Sequence, residues 1–313
     1  MATGEGQRGE ARGQLPAGVP WARPFAIFGS ALWLSACHGG VLDPKGVIGV
    51  QEKTILLDAL AVMLAIAIPT IVGALAFAWW FRDSNPKARY RPEFVYSGRV
   101  ELLVWSIPIL TILFLGGLTW IGSYQLDPRR PIASSAPALN VQVVSLDWKW
   151  LFIYPDQGVA AVNRLVVPAG RPLHLSLTSA SVFNVFFAPQ LGSEIYAMNG
   201  MVSELNLQAD QPGDYYGQSA HFSGDGFSDM HFDVKAVPQA DFDRWVAGAK
   251  ASGPTLDGPA YAGLARQGLI QPLTYRAVQM GLFQSIASGA IAAGPGPAPM
   301  PAAAPASMPM SGR

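Results

Sequence analysis

Cysteine is almost absent from this chain: 313 residues hold a single one, Cys37, and only four histidines. One thiol excludes an intramolecular disulfide framework and any metal centre that needs two thiolates from this chain. Charge is scarce too, at 13% of residues, and it is balanced, with 21 basic and 21 acidic side chains. A neutral balance removes the reason to expect nucleic acid or another polyanion as partner. So little charge, with half of all residues hydrophobic and a positive mean hydropathy, places the chain with membrane proteins rather than wholly soluble ones.

The N-terminus carries Arg8, Arg12 and Arg23 and then an apolar run from Phe25 to Ala36. That run is too short to span a bilayer, and a basic flank followed by small residues is the grammar of a signal peptide. Cys37 directly follows Leu34-Ser35-Ala36, which resembles a bacterial lipobox. The resemblance implies that residues 1–36 are removed and that the thiol of Cys37 carries lipid, as in a lipoprotein. The plainer alternative is a buried cysteine that happens to follow a small residue. The basic flank, the apolar run and the position of the sole cysteine favour the lipid anchor.

Two long apolar runs follow, at about 55–81 and 102–121, the second reading "LLVWSIPILTILFLGGLTWI". Each is long enough, at about 1.5 Å per residue, to cross a hydrocarbon layer about 30 Å thick. Trp79, Trp80, Trp105 and Trp120 lie near their ends, where interfacial aromatics belong. Pro69 and Pro108 are tolerable there, because neighbouring helices can satisfy the carbonyls they free. The loop between them holds Arg82, Lys87, Arg89, Arg91 and Arg99 against Asp83 and Glu93. A short loop so rich in cations is expected in the cytoplasm. Residues 37–127 therefore read as a hairpin in the inner membrane with both outer ends, and Cys37, on the periplasmic side.

A proline-containing linker, 128–138, leads into short β-branched and aromatic runs separated by Gly, Pro and Asp. That pattern predicts an antiparallel sandwich or barrel over 139–240. In "LHLSLTS", Leu173, Leu175 and Leu177 share one face and His174, Ser176 and Thr178 the other. From Asp241, "FDRWVAGAK" and "LTYRAVQMGLFQSIAS" read as a helical, aromatic-rich extension over 241–290. The last stretch, 291–313, is low-complexity Pro and Ala and reads as disordered.

Lipobox, hairpin, linker and outer β-domain in this order resemble subunit II of haem–copper terminal oxidases. The residues that carry the resemblance are "LDPKG", "GRVELLVWSIPIL", "DWKW", "VVPAGRPLHLSLTSASVFNVFFAPQLG" and "QPGDYYGQSAHFSGDGFSDMHF", from about residue 37 to 245. The resemblance implies a cupredoxin-like β-domain, which in the cytochrome c oxidase branch holds a dinuclear copper centre. Carried over residue by residue, the first histidine ligand of that centre falls on Asn184 and the bridging thiolates on Ser219 and Ser223. The glutamate whose carbonyl binds copper falls on His221, the second histidine on Phe227, and the methionine on Met230. Of these only Met230 keeps its type, and a serine hydroxyl at neutral pH is not a soft donor. With Cys37 the only cysteine, that centre cannot be built.

A mononuclear copper on His174, His221 and His231 is the remaining metal reading. His174 and His231 lie on strand faces opposite their leucine, methionine and phenylalanine neighbours, so the three imidazoles are not expected to converge. Met230 then reads as core packing. Acidic positions that dock cytochrome c in that branch fall here on Ser181 and His221, and the tryptophan of electron entry matches Trp148, which reads more simply as a buried aromatic. What remains is the quinol-oxidase branch, the bo-type ubiquinol oxidases. There the resemblance implies that haem b, haem o (or a), copper B and ubiquinol belong to partner subunit I, alongside subunits III and IV.

Glu101, where the second apolar run leaves the basic loop, matches a family glutamate at the mouth of the K proton pathway. The alternative is an ordinary interfacial acid paired with Arg99 or Lys87. Asp58, inside the first run, matches no family residue and is assigned no role. The expected function is thus a non-redox-active subunit II of a proton-pumping bacterial ubiquinol oxidase, with no catalytic centre of its own and no cytochrome c as partner. The alternatives are a cytochrome c oxidase subunit II and a structural or assembly membrane lipoprotein with a degenerate cupredoxin domain.

Overall fold

The computed structural model describes residues 40–89 and 91–291. The predicted signal peptide, Cys37 and the stretch beyond 291 lie outside the described residues.

Two helices come first: α1, Val47–Trp80, and α2, Gly98–Gln125. Both are long and apolar enough to cross a membrane. Hydroxyls inside them turn back on their own turns, Thr70 donating to the Ile66 carbonyl at 2.7 Å and Thr111 to the Ile107 carbonyl at 2.8 Å. Such back-bonding satisfies polar groups that lipid could not. The helices touch near Gly122, where a Cβ would lie 2.9 Å from Ile55. α1 begins eight residues ahead of the apolar run at Ile55, and that extra length meets the β-domain rather than lipid.

The β-domain is two packed sheets. The first sheet uses β1 (Leu139–Leu146), β2 (Lys149–Tyr154), β3 (Val159–Val162), β5 (Pro172–Ser179), β8 (Ser203–Gln208) and β12 (Leu273–Tyr275), in the order β12-β3-β2-β1-β5-β8. The second uses β4 (Arg164–Pro168), β6 (Asn184–Phe187), β7 (Ile195–Ala197), β9 (Gly213–Ser219) and β10 (His231–Val237), in the order β4-β10-β9-β6-β7. Most pairs are antiparallel, but β1–β5 and β4–β10 are parallel. Between the sheets lies a core that includes Trp150, Phe152, Phe186, Phe232 and the leucines of β5. The alternation in "LHLSLTS" is observed: Leu173, Leu175 and Leu177 are fully buried, and His174 and Ser176 are half-buried, although Thr178 is buried as well.

The C-terminal extension differs from the helical reading in part. Helices α3 (Gln239–Ala251), α4 (Gly258–Leu264) and α5 (Leu282–Ala287) form. Yet the first half of "LTYRAVQMGLFQSIAS" is strand: β12 pairs with β3, and β13 (Ala277–Val278) pairs with β11 (Thr255–Leu256). The physical reason is tertiary, because the free edge of β3 offers Leu273–Tyr275 a ladder that outweighs a weak helical pattern. Leu256, Tyr261, Tyr275, Leu282, Phe283 and Ile286 form a second core with Val144, Leu146, Leu151 and Ile153. The first sheet is thereby covered on both faces.

Helices and β-domain are fastened to each other. The Lys45 amide donates to the Gln190 carbonyl at 2.6 Å and Gly49 to Leu191 at 3.1 Å, while the Asp210 amide donates to the Lys45 carbonyl at 2.8 Å. Ser193 hydrogen-bonds Glu52 of α1. After α2, the Pro128 carbonyl accepts from both the backbone and the side-chain amide of Asn206, at 2.9 and 3.0 Å. Strand β8 and the loop after β6 thus hold the outer ends of both helices.

Candidate functional site

The loop between β9 and β10 and the start of β6 meet at one end of the sandwich. Asn184 opens β6, Ser219 closes β9, and Met230 precedes β10. Register brings them together, since Phe186 pairs with Ser219 and the Ser219 amide donates to the Met230 carbonyl at 3.0 Å. All three, with Ser223, are buried. The Ser219 hydroxyl donates to Asn184 Oδ1 at 3.0 Å and lies 3.3 Å from the His221 carbonyl oxygen. The Ser223 hydroxyl faces Met230 Sδ at 3.8 Å.

The positions read from the sequence as a former metal centre therefore still converge, with hydrogen bonds in place of ligation. Phe227 does not join them: it lies in a short 3-10 helix, half-buried, with its ring edge-on to Phe222 at 5.7 Å. The imidazole of His221 turns outward onto Phe183, with centroids 4.1 Å apart. Residues of this kind do not fit the copper that the fold family implies. Two hydroxyls, a carboxamide, a carbonyl and one thioether supply no thiolate and no imidazole, and soft copper sites need them.

The other imidazoles stand elsewhere. His174 Nδ1 sits 3.2 Å from Asn206 Oδ1, and exposed His231 stacks on Tyr216. Among the described residues no three His, Cys, Asp or Glu side chains gather as a metal site would require.

Two glycines shape the loop. Gly224 adopts φ +103°, a region open chiefly to glycine. Gly226 lies against Trp148, where a Cβ would come within 2.3 Å of the indole. Trp148 itself is half-buried, not buried as the sequence reading had it; the fully buried partner in "DWKW" is Trp150. Trp148 occupies the two-residue turn between β1 and β2 at φ +68°, held there as its Nε1 donates to the Ser223 carbonyl at 2.9 Å. A bulky residue in that region is strained and persists only where its surroundings impose it.

Sequence reasoning missed the polar group beside this end. Asp147 and Lys149 flank Trp148 and are both buried. Ser181, read only as a lost acidic position, donates its hydroxyl to Asp147. Lys149 Nζ donates to the Arg266 carbonyl at 2.6 Å, which ties the C-terminal extension to the β1–β2 turn. Burial holds the Lys149 ammonium below its ordinary pKa, against the pull of Asp147. The available signal was "DWKW" itself, two charges inside a run otherwise fit for a core.

Glu101 lies in the first turn of α2, exposed, and makes no ion pair with Arg99 or Lys87. Asp58 is exposed on α1.

The family model for the periplasmic domain of cytochrome c oxidase subunit II matches residues 155–237. The chain is 46% identical over 260 residues to ubiquinol oxidase subunit 2 of Acetobacter aceti, covering 82% of this chain and 84% of that one. It is also 46% identical to cytochrome bo(3) ubiquinol oxidase subunit 2 of Pseudomonas putida, covering 79% of each. Among solved structures, the periplasmic domain of subunit II of a cytochrome oxidase from Bradyrhizobium japonicum is 26% identical, covering 38% of this chain and 98% of that one, with a TM-score of 0.36.

Proposed function

The chain belongs to the ubiquinol oxidase subunit 2 family, and on that premise we propose that it is the non-redox-active second subunit of a proton-pumping bacterial quinol oxidase. One observation carries the electron-transfer side of this reading. The buried cluster of Asn184, Ser219, Ser223 and Met230 is satisfied by internal contacts of hydroxyl, amide and thioether, so this domain has no thiolate acceptor for electrons from cytochrome c. The electrons instead come from ubiquinol in the membrane, and haem b, haem o (or a) and copper B reside in subunit I. This chain braces subunit I with α1 and α2, covers its outer face with the β-domain, and meets subunits III and IV in the inner membrane. Cys37 adds a lipid anchor on the periplasmic side, and the 82–99 loop faces the cytoplasm. The purified complex should consume oxygen with ubiquinol and not with reduced cytochrome c; turnover with cytochrome c alone would sink the reading.

Glu101 supplies the second function, collecting protons at the entrance of the K pathway into subunit I. Glu101 is exposed in the first turn of α2 and, among the described residues, makes no ion pair. A carboxylate at a membrane boundary beside a partner subunit is suited to a proton path. Glu101→Gln should lower quinol-dependent turnover by about tenfold, the low end of what a focused charge adds to arrival rates. Unchanged turnover and unchanged proton pumping would leave Glu101 an ordinary interfacial acid.

A further inference from the structure

At the far end of α1 from the β-domain, the inter-helix loop folds into a cup with a volume of about 850 Å³. Its lining carries four cations, Arg82, Lys87, Arg89 and Arg91, against one carboxylate, Asp83, with Trp80 and Phe94 among the apolar walls. The ion pairs among the described residues lie elsewhere, at Lys45–Asp43, Arg164–Asp233 and Arg244–Asp241. The four cations thus face the cup without an ion-pair partner among the described residues.

The cup is also built rather than loose. Arg82 Nη1 donates to the Trp79 carbonyl at 2.8 Å and its Nε to Ser84 at 3.0 Å, with the guanidinium 4.8 Å from the centre of the Trp79 ring. Asn85 Nδ2 donates to the Trp80 carbonyl at 2.6 Å and its Oδ1 accepts from the Lys87 amide at 3.2 Å. These bonds fasten the loop to the last turn of α1 and fix the Arg82 guanidinium and the backbone at Lys87.

We propose that this cup binds the headgroup of an anionic phospholipid. Three features select a lipid over another anion. Exposed Trp79, Trp80 and Phe81 place the rim at the level where aromatic rings meet headgroups. The outward face of α1 just above it, with Phe77 68% exposed, offers acyl chains an apolar path that a free phosphate or an acidic peptide would not use. Basic pockets at the ends of membrane helices on the cytoplasmic side attract anionic headgroups, and the positive-charge excess assigns this loop to that side. The proposal rests on the reading that α1 and α2 span the membrane.

The test uses the purified oxidase complex in native mass spectrometry, after mild delipidation and titration with phosphatidylglycerol or phosphatidylcholine. Wild type should take up phosphatidylglycerol saturably and phosphatidylcholine only weakly. Lys87→Gln with Arg89→Gln and Arg91→Gln should weaken phosphatidylglycerol by about tenfold or more, and the charge-keeping set Lys87→Arg, Arg89→Lys and Arg91→Lys should restore it. Equal phosphatidylglycerol binding by wild type and the neutral triple variant would overturn the proposal, as would competition by headgroup glycerol phosphate at equal concentration. Loss of the other subunits from the neutral variant alone would overturn it too, by making the cup a protein-docking surface. Quinol-dependent oxygen uptake is measured on the same wild-type sample, because its absence counts against the functional reading and not against the lipid site.

Discussion

Across the two long helices only Gly49 and Gly122 are buried, whereas every residue of β2 is. The β-domain closes on itself, since β2 has the second sheet on one face and the C-terminal extension on the other. Among the described residues the hairpin packs little, with its helices touching near Gly122 and the start of α1 meeting the β-domain. Leu102, Leu113 and Phe114 are 71, 67 and 59% exposed. Area removed from water stabilises a fold at about 25 cal/mol per Å², so the β-domain carries its own stability. The hairpin's apolar surface instead stays exposed on two helices long and apolar enough to cross a membrane.

The largest test of that contrast is in the core. Trp150 is fully buried, edge-on to Phe186 and Phe232 at 5.6 Å each. Trp150→Ala should destabilise the β-domain by about 3–5 kcal/mol, read from urea unfolding of the purified complex followed by fluorescence. Leu113→Ala on α2 should leave the same transition within about 0.5 kcal/mol. Similar shifts from both would erase the distinction between a self-closed domain and an open hairpin.

A smaller effect probes what joins the two sheets. Tyr154 of β2 is fully buried, and its hydroxyl donates to the Val166 carbonyl at 2.9 Å and accepts from the Val166 amide at 2.8 Å. Tyr154→Phe leaves both backbone groups of Val166 unpaired inside the core and should cost about 1–3 kcal/mol. The pH dependence adds a signature. Burial pushes the Tyr154 phenol well above the ordinary value of 10, only partly countered by the Val166 contact. A pKa raised on folding gives stability that is complete below pH 10 and is lost as pH rises beyond it, by about 1.4 kcal/mol per pH unit for one group. Tyr261, pushed up to about 12 by burial, acts in the same direction. Tyr154→Phe should therefore flatten the alkaline decline of the β-domain without abolishing it, and an unchanged slope would remove Tyr154 from the account.

The same contrast explains what could be read from the chain. Apolar runs around Leu64 and Leu110 announce helices because lipid-facing surfaces tolerate almost no charge, and β5 announces its face because only one side is fully apolar. Strand β2 hides its period, since both faces are buried and between Lys149 and Tyr154 the run "WLFI" has nothing polar to alternate. Leu273–Tyr275 joins β3 although its local pattern favours helix, a pairing across more than 100 residues that no window of sequence contains. At the positions that correspond to the family's copper ligands, residue types and spacing marked Ser219 and Ser223. The bond from Ser219 to Asn184 was not legible, because it depends on how β6 and β9 align. The strained turn at Trp148 was hidden for the same reason, since Gly226 and Ser223 hold it from a distant loop.

The smallest expected effect on global stability falls at the seam between the two regions. Gly46 has an ordinary extended backbone, φ −138°, so its need for glycine is one of approach and not of conformation. A Cβ there would lie 2.2 Å from the Gln208 carbonyl oxygen and 2.9 Å from that of Leu191. Both belong to backbone, which cannot swing aside as a side chain would. Gly46→Ala should push the start of α1 off β8 and lengthen the Lys45–Gln190 and Asp210–Lys45 bonds. The sandwich core lies elsewhere, so urea unfolding of the β-domain should move by no more than about 0.5 kcal/mol. Amide exchange at Lys45, Gly49 and Asp210 should meanwhile rise by at least about tenfold, because those bonds open locally without global unfolding. If exchange at the seam stays at wild-type levels, helix and β-domain are joined by something other than this close approach. If the whole β-domain unfolds with it, the seam is part of the core, and the boundary between the closed and the open region must be redrawn along α1.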